Sequence, residues 1–200
     1  MARVSRNLVV VISAPSGAGK LTLLNKVREI EPNLRTTISA TTRKPRTGET
    51  DGKDYYFYAV AQFLQERDEG GFVEWAEVHG NYYGTPRREL DRCLDSGHDV
   101  ILELDVQGMR NLRAQRGDIV TVFLTPPSLE ALEDRLRKRG TDDEAIIALR
   151  LKNARGELAA RSEFDYIVVN DNLEEAAADM VAILRAERCR ARRNPIGDLA

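Results

Sequence analysis

Cysteine and histidine are scarce in this 200-residue chain: Cys93 and Cys189, His79 and His98, and no others. The two thiols lie far apart, so they build neither a disulfide framework nor the paired spacing of a structural zinc site. The histidines are isolated and read as structural residues, and no metal-ligand cluster is expected. No apolar run approaches the roughly 18 residues that a membrane-spanning helix needs. The segment ahead of the first apolar run, Met-Ala-Arg-Val-Ser-Arg-Asn, is too short for a targeting sequence. Together these absences suggest a reducing cytoplasm, with both cysteines as packing or surface residues. The formal net charge is −2, so no global field gathers nucleic acid or a lipid surface, and neither is expected as a partner. Internal repeats and low-complexity tracts are also missing. A chain of this length suits one domain with lobes and buries roughly 70% of its unfolded surface.

What is present begins with the apolar run Leu8-Val9-Val10-Val11-Ile12, followed directly by Ser-Ala-Pro-Ser-Gly-Ala-Gly-Lys-Leu-Thr at 13–22. A buried strand that feeds a glycine-rich turn and then a helix directs backbone N–H groups and the helix N-terminus at an anion, with a lysine reaching the outer phosphates. Ala14, Pro15, Ser16, Gly17, Ala18, Gly19, Lys20, Leu21 and Thr22 therefore form the expected binding loop for a nucleoside triphosphate. The motif has one defect. Leu21 stands where a Ser or Thr hydroxyl would help to hold Mg²⁺, and Thr22 is about 100° further around the helix and cannot simply replace it. Ala14, in place of the generic Gly, is a smaller departure.

Strand and helix patterns alternate along the chain. Strands are predicted at 8–12, 36–40, 55–58, 72–78, 100–105, 119–124 and 166–169. Helices are predicted at 20–30, 61–69, 86–96, 129–139, after 144 and at 173–190. Residues 41–52 read as a loop and 80–85 as a turn, while Thr141-Asp142-Asp143-Glu144 has capping-box spacing. The tail beyond Arg190 is expected to fray. This order argues for an α/β fold with a doubly wound parallel sheet in three layers. Short aromatic strands interrupt the rhythm at 36–88, and basic helices at 128–161, so each of these regions reads as an inserted lobe on a core of 1–35, 89–127 and 162–200.

A P-loop alone does not specify a reaction; a second phosphate-binding set does. Thr41-Thr42-Arg43-Lys44-Pro45-Arg46 carries two arginines on a loop stiffened by proline, and Tyr55 and Tyr82-Tyr83 follow. Arginine forks and phenolic hydroxyls suit a small phosphate monoester dianion. Arginine outnumbers lysine 24 to 6 overall, although codon-usage bias explains most of those positions equally well.

Six blocks in order resemble guanylate kinase: Ser-Ala-Pro-Ser-Gly-Ala-Gly-Lys (13–20), Thr-Thr-Arg-Lys-Pro-Arg-Thr-Gly-Glu (41–49), Gly-Lys-Asp-Tyr-Tyr-Phe (52–57), Phe-Val-Glu-Trp-Ala-Glu-Val-His-Gly-Asn-Tyr-Tyr-Gly-Thr (72–85), Leu-Glu-Leu-Asp-Val-Gln-Gly (102–108) and Ile-Val-Val-Asn-Asp (167–171). The resemblance implies ATP + GMP → ADP + GDP, in purine metabolism and GMP recycling with dGMP as a further acceptor. It implies a P-loop core, a GMP-binding lobe at 36–88 and a helical lid at 128–161. By the same resemblance Glu74 reads the N1 and 2-amino donors of guanine, Ser39 and Thr85 contact the base, and Arg43, Arg46, Tyr55 and Tyr83 hold the GMP phosphate. Asp105 sits near GMP and the water shell of the metal, and Glu103 stands where many members carry Asp. The lid arginines Arg135, Arg139 and Arg150 join Lys20 and Arg43 around the transferring phosphate, and Asn170 lies near adenine. Arg137 and Lys138 read as a solvated face. With Leu21 in the loop, Mg²⁺ is expected to be held through phosphates and water, as adenylate kinases with Gly-Lys-Gly-Thr at this point hold it.

Two other readings remain at this stage. A non-catalytic guanylate-kinase-like interaction module would lose P-loop or GMP-site residues, and this chain retains Lys20, Arg43, Arg46, Glu74 and Tyr83. A GTPase would need an Asn-Lys-x-Asp element for its base, and the sequence has none.

Overall fold

The computed structural model describes residues 7–78, 80–140 and 143–190. In chain order the elements are β1 (Val9–Ser13), α1 (Lys20–Ile30), β2 (Leu34–Thr36), β3 (Ala40–Thr41), β4 (Tyr56–Phe57), α2 (Val60–Asp68), β5 (Phe72–Val78), β6 (Asn81–Pro86), α3 (Arg87–Asp95), β7 (Asp99–Glu103), α4 (Val106–Gln115), β8 (Val120–Thr125), α5 (Leu129–Arg139), α6 (Glu144–Ala159), β9 (Tyr166–Val169) and α7 (Leu173–Arg188).

β1 is buried at every position because it lies at the centre of a five-stranded sheet, in the order β2-β7-β1-β8-β9. Every pairing in that sheet is parallel. Its side chains alternate between two cores. Val10 and Ile12 pack with Leu23, Leu24 and Val27 of α1 and with Met180 and Leu184 of α7. Val9 and Val11 pack with Leu90 and Cys93 of α3 and with Met109 and Leu112 of α4. A strand covered by helices on both faces reads as a continuous apolar run rather than an alternating one, which is the pattern at 8–12.

A second sheet, β4-β3-β6-β5, has its own aromatic core. Phe63 of α2 stacks on Phe72 at 4.3 Å and on Tyr82 at 5.4 Å between ring centroids. Helices α5 and α6 form a third unit around Leu132, Leu136, Ile147 and Ala154. Arg137, expected to face solvent, is exposed and also bridges this pair. It bonds Glu133 at 2.9 Å on its own helix and also Glu144 at the start of α6.

Four sequence-based expectations change. The β-branched run at 36–40 is not one strand: β2 ends at Thr36 in the core sheet, and the chain then crosses to β3 in the second sheet. Residues 81–86, which span the expected turn from 81 to 85 and the predicted helix start at 86, form β6 and pair antiparallel with β5, so the hairpin reversal at Gly80 (φ 73°) is the turn-like part. Helix α4 was not anticipated, because Gly108 in its first turn weakens the helical pattern; Asp105 caps it by accepting from the Gly108 amide at 2.7 Å. The expected capping box is replaced by Asp143, which accepts from Ile146 N at 2.8 Å. Thr141, Asp142, His79 and the tail after Arg190 lie outside the described residues.

The N-terminal ends of the core strands are clamped by buried charge. Asp99 accepts from Leu8 N (2.7 Å) and from Arg188 Nε (2.7 Å), while Arg188 Nη1 and Arg185 Nε donate to Glu31 at the end of α1. Burial pushes Glu31 up, but the bonds from Arg188 and Arg185 overcome it and leave its carboxyl below the usual range. Removing Arg188 would leave Asp99, only 2% exposed, with the Leu8 amide and no cation, and Glu31 with Arg185 alone. Arg188→Ala should therefore cost about 2–4 kcal/mol in urea unfolding. A change within about 0.5 kcal/mol would show that the clamp is inert.

Candidate active site

The C-terminal ends of β1 and β7 open onto one crevice, the usual ligand position in an open parallel sheet. Ser13 Oγ donates to Leu104 O at 2.7 Å, tying the start of the glycine loop to the neighbouring strand. Within the loop, Ala14 packs on the core, and the carbonyl of buried Pro15 accepts from Ala18 N at 3.0 Å. Gly17 and Gly19 have φ of 95° and 88°, a region that favours glycine. Gly19 is the cap residue of α1, and no side chain bonds the first-turn amides. Helices α2 and α3 also lack a side-chain cap, whereas α4, α5, α6 and α7 are capped by Asp105, Ser128, Asp143 and Asn172. The bare amides of α1 are suited to an anion.

Groups from distant parts of the chain surround this loop. Asn170 Nδ2 donates to Ala18 O at 2.7 Å, and Arg135 Nη2 donates to Asn170 O at 2.7 Å. Arg150 Nη1 donates to Ser16 Oγ at 2.6 Å. A methyl group on Gly17 would meet Leu132 and Leu136 at 3.0 Å, so α5 lies directly on the loop. Lys20 Nζ is 3.3 Å from Glu103 Oε2. Leu21 is 64% exposed, an apolar side chain standing in solvent beside the lysine, and Thr22 is exposed as well. Arg139 closes α5, and its side chain lies outside the described residues.

Beyond Glu103 a cleft of about 200 Å³ is lined by Ser39, Tyr55, Glu74, Tyr83, Glu103 and Asp105, among others. Glu74 is 7% exposed, and its Oε1 accepts from both Thr85 N (3.0 Å) and Thr85 Oγ1 (2.9 Å). Thr85 is fully buried and connects to the cleft through Glu74. Burial pushes Glu74 up to about 7; the Thr85 bonds oppose the shift and the Asp105 charge adds to it. Gly108 makes room for this carboxylate, since a methyl group there would lie 2.8 Å from Glu74 Oε2. Tyr55 and Tyr83 meet edge-on at 6.3 Å, and the Arg43 guanidinium lies 5.4 Å from the Tyr55 ring centroid. Arg43 bonds Glu49 through both Nη atoms. Arg46 is exposed and joins this group through its backbone, which donates to Glu49 Oε2 at 2.7 Å.

One residue at the crevice was missed. Glu157 of α6 is pushed up to about 7, chiefly by burial, with the Asp105 charge raising it further and Lys20 lowering it. Its only sequence signal was an acid shortly after Arg150, Lys152 and Arg155, and nothing in the spacing says which way that helix turns.

The uncapped helix that follows a buried parallel strand places the chain among the P-loop proteins. Comparison narrows that class. The guanylate kinase family profile matches residues 6–187. The guanylate kinase of Nitratidesulfovibrio vulgaris is 52% identical over 184 residues, 91% of this chain and 88% of that protein. The guanylate kinase of Aromatoleum aromaticum is 50% identical over 182 residues, covering 91% and 89%. The crystal structure of guanylate kinase from Anaplasma phagocytophilum superposes with a TM-score of 0.77 at 36% identity, covering 94% of this chain and 90% of that one. The chain belongs to the guanylate kinase family.

Glu74 carries a stability consequence with a definite sign. Its pKa in the folded protein, about 7, lies above the ordinary 4.5, so between those values the native state binds a proton that the unfolded state does not. Stability from this group is complete below pH 4.5 and is lost as the pH rises through 7. Glu74→Gln should match the parent near pH 4 and exceed it by about 2–3 kcal/mol at pH 8. Urea unfolding at the two pH values checks this, and equal stability at both would contradict the buried-charge reading.

Proposed function

We propose that the chain transfers the terminal phosphoryl group of ATP to GMP, giving ADP and GDP. The observation that carries this reading is Glu74, a buried carboxylate on the wall of a cleft whose other end opens toward Lys20 and the uncapped helix. Guanine offers donors at N1 and its 2-amino group, which two carboxylate oxygens can accept; adenine offers an acceptor at N1 and would leave Glu74 unsatisfied. Discrimination of several kcal/mol is typical when a buried polar group loses its partner. Ser39 lines the same cleft and would donate to O6, with Thr85 holding the carboxylate. Arg43, Arg46, Tyr55 and Tyr83 would receive the GMP phosphate. In this division, residues 36–88 form the GMP-binding lobe and 128–161 the lid.

Phosphoryl transfer needs positioning and charge neutralisation rather than a covalent partner. Lys20 and the amides of the glycine loop would hold the ATP phosphates. Arg135, Arg139 and Arg150 would complete the positive shell when the lid excludes water. Asn170 would border the adenine. ATP enters as its magnesium complex, in which the ion screens the phosphate charge. The donor set suits an ion held by phosphates and water: Leu21 offers no oxygen, and the described residues contain no group of three or more acidic, histidine or cysteine ligands. Asp105 and Glu157 supply acceptors for that water shell. Cytoplasmic placement is supported by two free thiols, Cys93 buried and Cys189 exposed. No helix among the described residues is long and apolar enough to cross a membrane.

ADP formation from ATP should depend on GMP, with dGMP also accepted and AMP, CMP and UMP giving under about 1% of the GMP rate. A preference for AMP would overturn the base assignment, and no GMP-dependent turnover would revive the interaction-module reading. The GMP KM should rise as the pH falls below about 7, where Glu74 gains a proton and loses an acceptor oxygen. Leu21→Ser should change kcat by less than about tenfold, the lower end of what an altered metal environment brings. A rise of a hundredfold or more would mean that the parent lacks a metal ligand it needs.

A further inference from the structure

We propose that Glu49 is a positioning residue for the phosphate of the acceptor nucleotide, holding the Arg43 guanidinium and the 43–49 loop in the shape that a phosphate monoester dianion binds. The proposal rests on the reading of the neighbouring cleft as the acceptor-nucleotide site. Glu49 ends the Thr-Thr-Arg-Lys-Pro-Arg-Thr-Gly-Glu block, and none of the roles above uses it.

Both of its oxygens are engaged. Oε1 accepts from Arg43 Nη2 at 2.9 Å, and Oε2 accepts from Arg43 Nη1 at 3.0 Å and from Arg46 N at 2.7 Å. The backbone closes the same ring, with Glu49 N donating to Arg46 O at 3.0 Å. One carboxylate thus joins the side chain of the first loop arginine to the main chain of the second. The pair is well shielded, with side-chain exposures of 15% for Arg43 and 20% for Glu49.

The arrangement leaves Arg43 able to bind. A guanidinium has five N–H donors in a planar fork. Glu49 takes one from each Nη, and the Lys44 carbonyl takes the other Nη1 hydrogen at 2.7 Å. The Nε hydrogen and the second Nη2 hydrogen form the opposite planar edge, which matches two phosphate oxygens. The guanidinium borders the cleft, lying over the Tyr55 and Phe57 rings at 5.4 and 5.8 Å. Tyr55 and Tyr83 both line the cleft. Without Glu49 the long arginine stem would have to be ordered on binding, and its free fork could turn to other acceptors.

A carboxylate so close also subtracts positive charge from the phosphate site. If neutralisation were its main effect, removing it would tighten GMP binding. Glu49→Ala and Glu49→Gln separate the two signs when KM for GMP, KM for ATP and competitive inhibition by guanosine are measured together. Guanosine carries the base and lacks the phosphate. In Glu49→Ala the GMP KM should rise about tenfold or more, as loss of an ordered charge-assisted contact implies. The ATP KM and the guanosine inhibition constant should stay within about twofold. Glu49→Gln should fall between, since its amide oxygen accepts from one arginine N–H while its NH₂ faces another donor. An unchanged or lowered GMP KM in both variants overturns the role of Glu49 alone, as does guanosine weakening in step with GMP, which would mark general damage to the site. Absence of GMP turnover in the unsubstituted chain overturns the acceptor-site reading and this role with it.

Discussion

Cations that are to meet phosphates have to share one crevice before any phosphate arrives, and like charges left facing one another would push it open. In this chain four of these groups are held by acceptors of the protein itself. Lys20 lies 3.3 Å from Glu103, Arg43 is forked on Glu49, Arg135 donates to the Asn170 carbonyl and Arg150 to the Ser16 hydroxyl. The acceptors come from the end of β7, the 43–49 loop, the residue after β9 and the glycine loop, so the charge arrangement reaches all three structural units. Donors held in place beforehand cost little reorganisation when charge develops, and this is how electrostatic stabilisation of phosphoryl transfer works. The core sheet supplies the fixed frame. β1 and β7 run side by side, Ser13 locks the loop to Leu104, and the polar clamp at Asp99 and Arg188 holds the opposite end.

Glu74 shows the same constraint from the other side. Its carboxylate is buried where water cannot solvate it, and only Thr85 partly compensates. A group placed this way destabilises the protein at neutral pH and has no packing reason to be charged. Gly108 even gives up a side chain to leave it space. The arrangement makes sense if a ligand supplies the missing donors, as guanine would in the proposed site. Local cost at a binding position is the usual form of a stability–function trade-off.

Much of this was legible in the sequence wherever one local rule sufficed. The continuous apolar run at 8–12 announced a doubly covered strand, and Gly-Ala-Gly-Lys announced the turn that follows it, because both depend on neighbours in sequence. The failures occurred where long-range pairing outweighed local preference. Gly80 and Asn81 carry turn chemistry, yet Tyr82 to Pro86 is drawn into β6 by pairing with β5 and by the stack on Phe63. Val106 to Gln115 is helical because Asp105 caps it and Met109 and Leu112 find the core, which Gly108 concealed. Among site residues, Lys20, Arg43, Glu74 and Asn170 were nominated by motif. Glu157 was not, since its burial and the influence of Asp105 and Lys20 on it involve elements far apart in sequence.

Arg135 of α5 and Arg150 of α6 are tied to groups that the proposed ATP site would use. Arg150 bonds Ser16 of the glycine loop, and Arg135 bonds the backbone of Asn170, whose side chain supports Ala18 of the same loop. Leu132 and Leu136 add apolar contact at Gly17. The core shared by α5 and α6, around Leu132, Leu136, Ile147 and Ala154, is separate from the two cores of the central sheet, and Leu158 of α6 packs against one of them. A nucleotide in the loop would compete for the same hydroxyl and offer its phosphates to the same guanidinium groups. In the proposed site the position of α5 and α6 would thus be linked to nucleotide occupancy through differential contacts. The exchange would replace uncharged acceptors, a hydroxyl and a carbonyl, with charged phosphate oxygens, so each guanidinium would gain an ion-pair attraction that its present bonds lack.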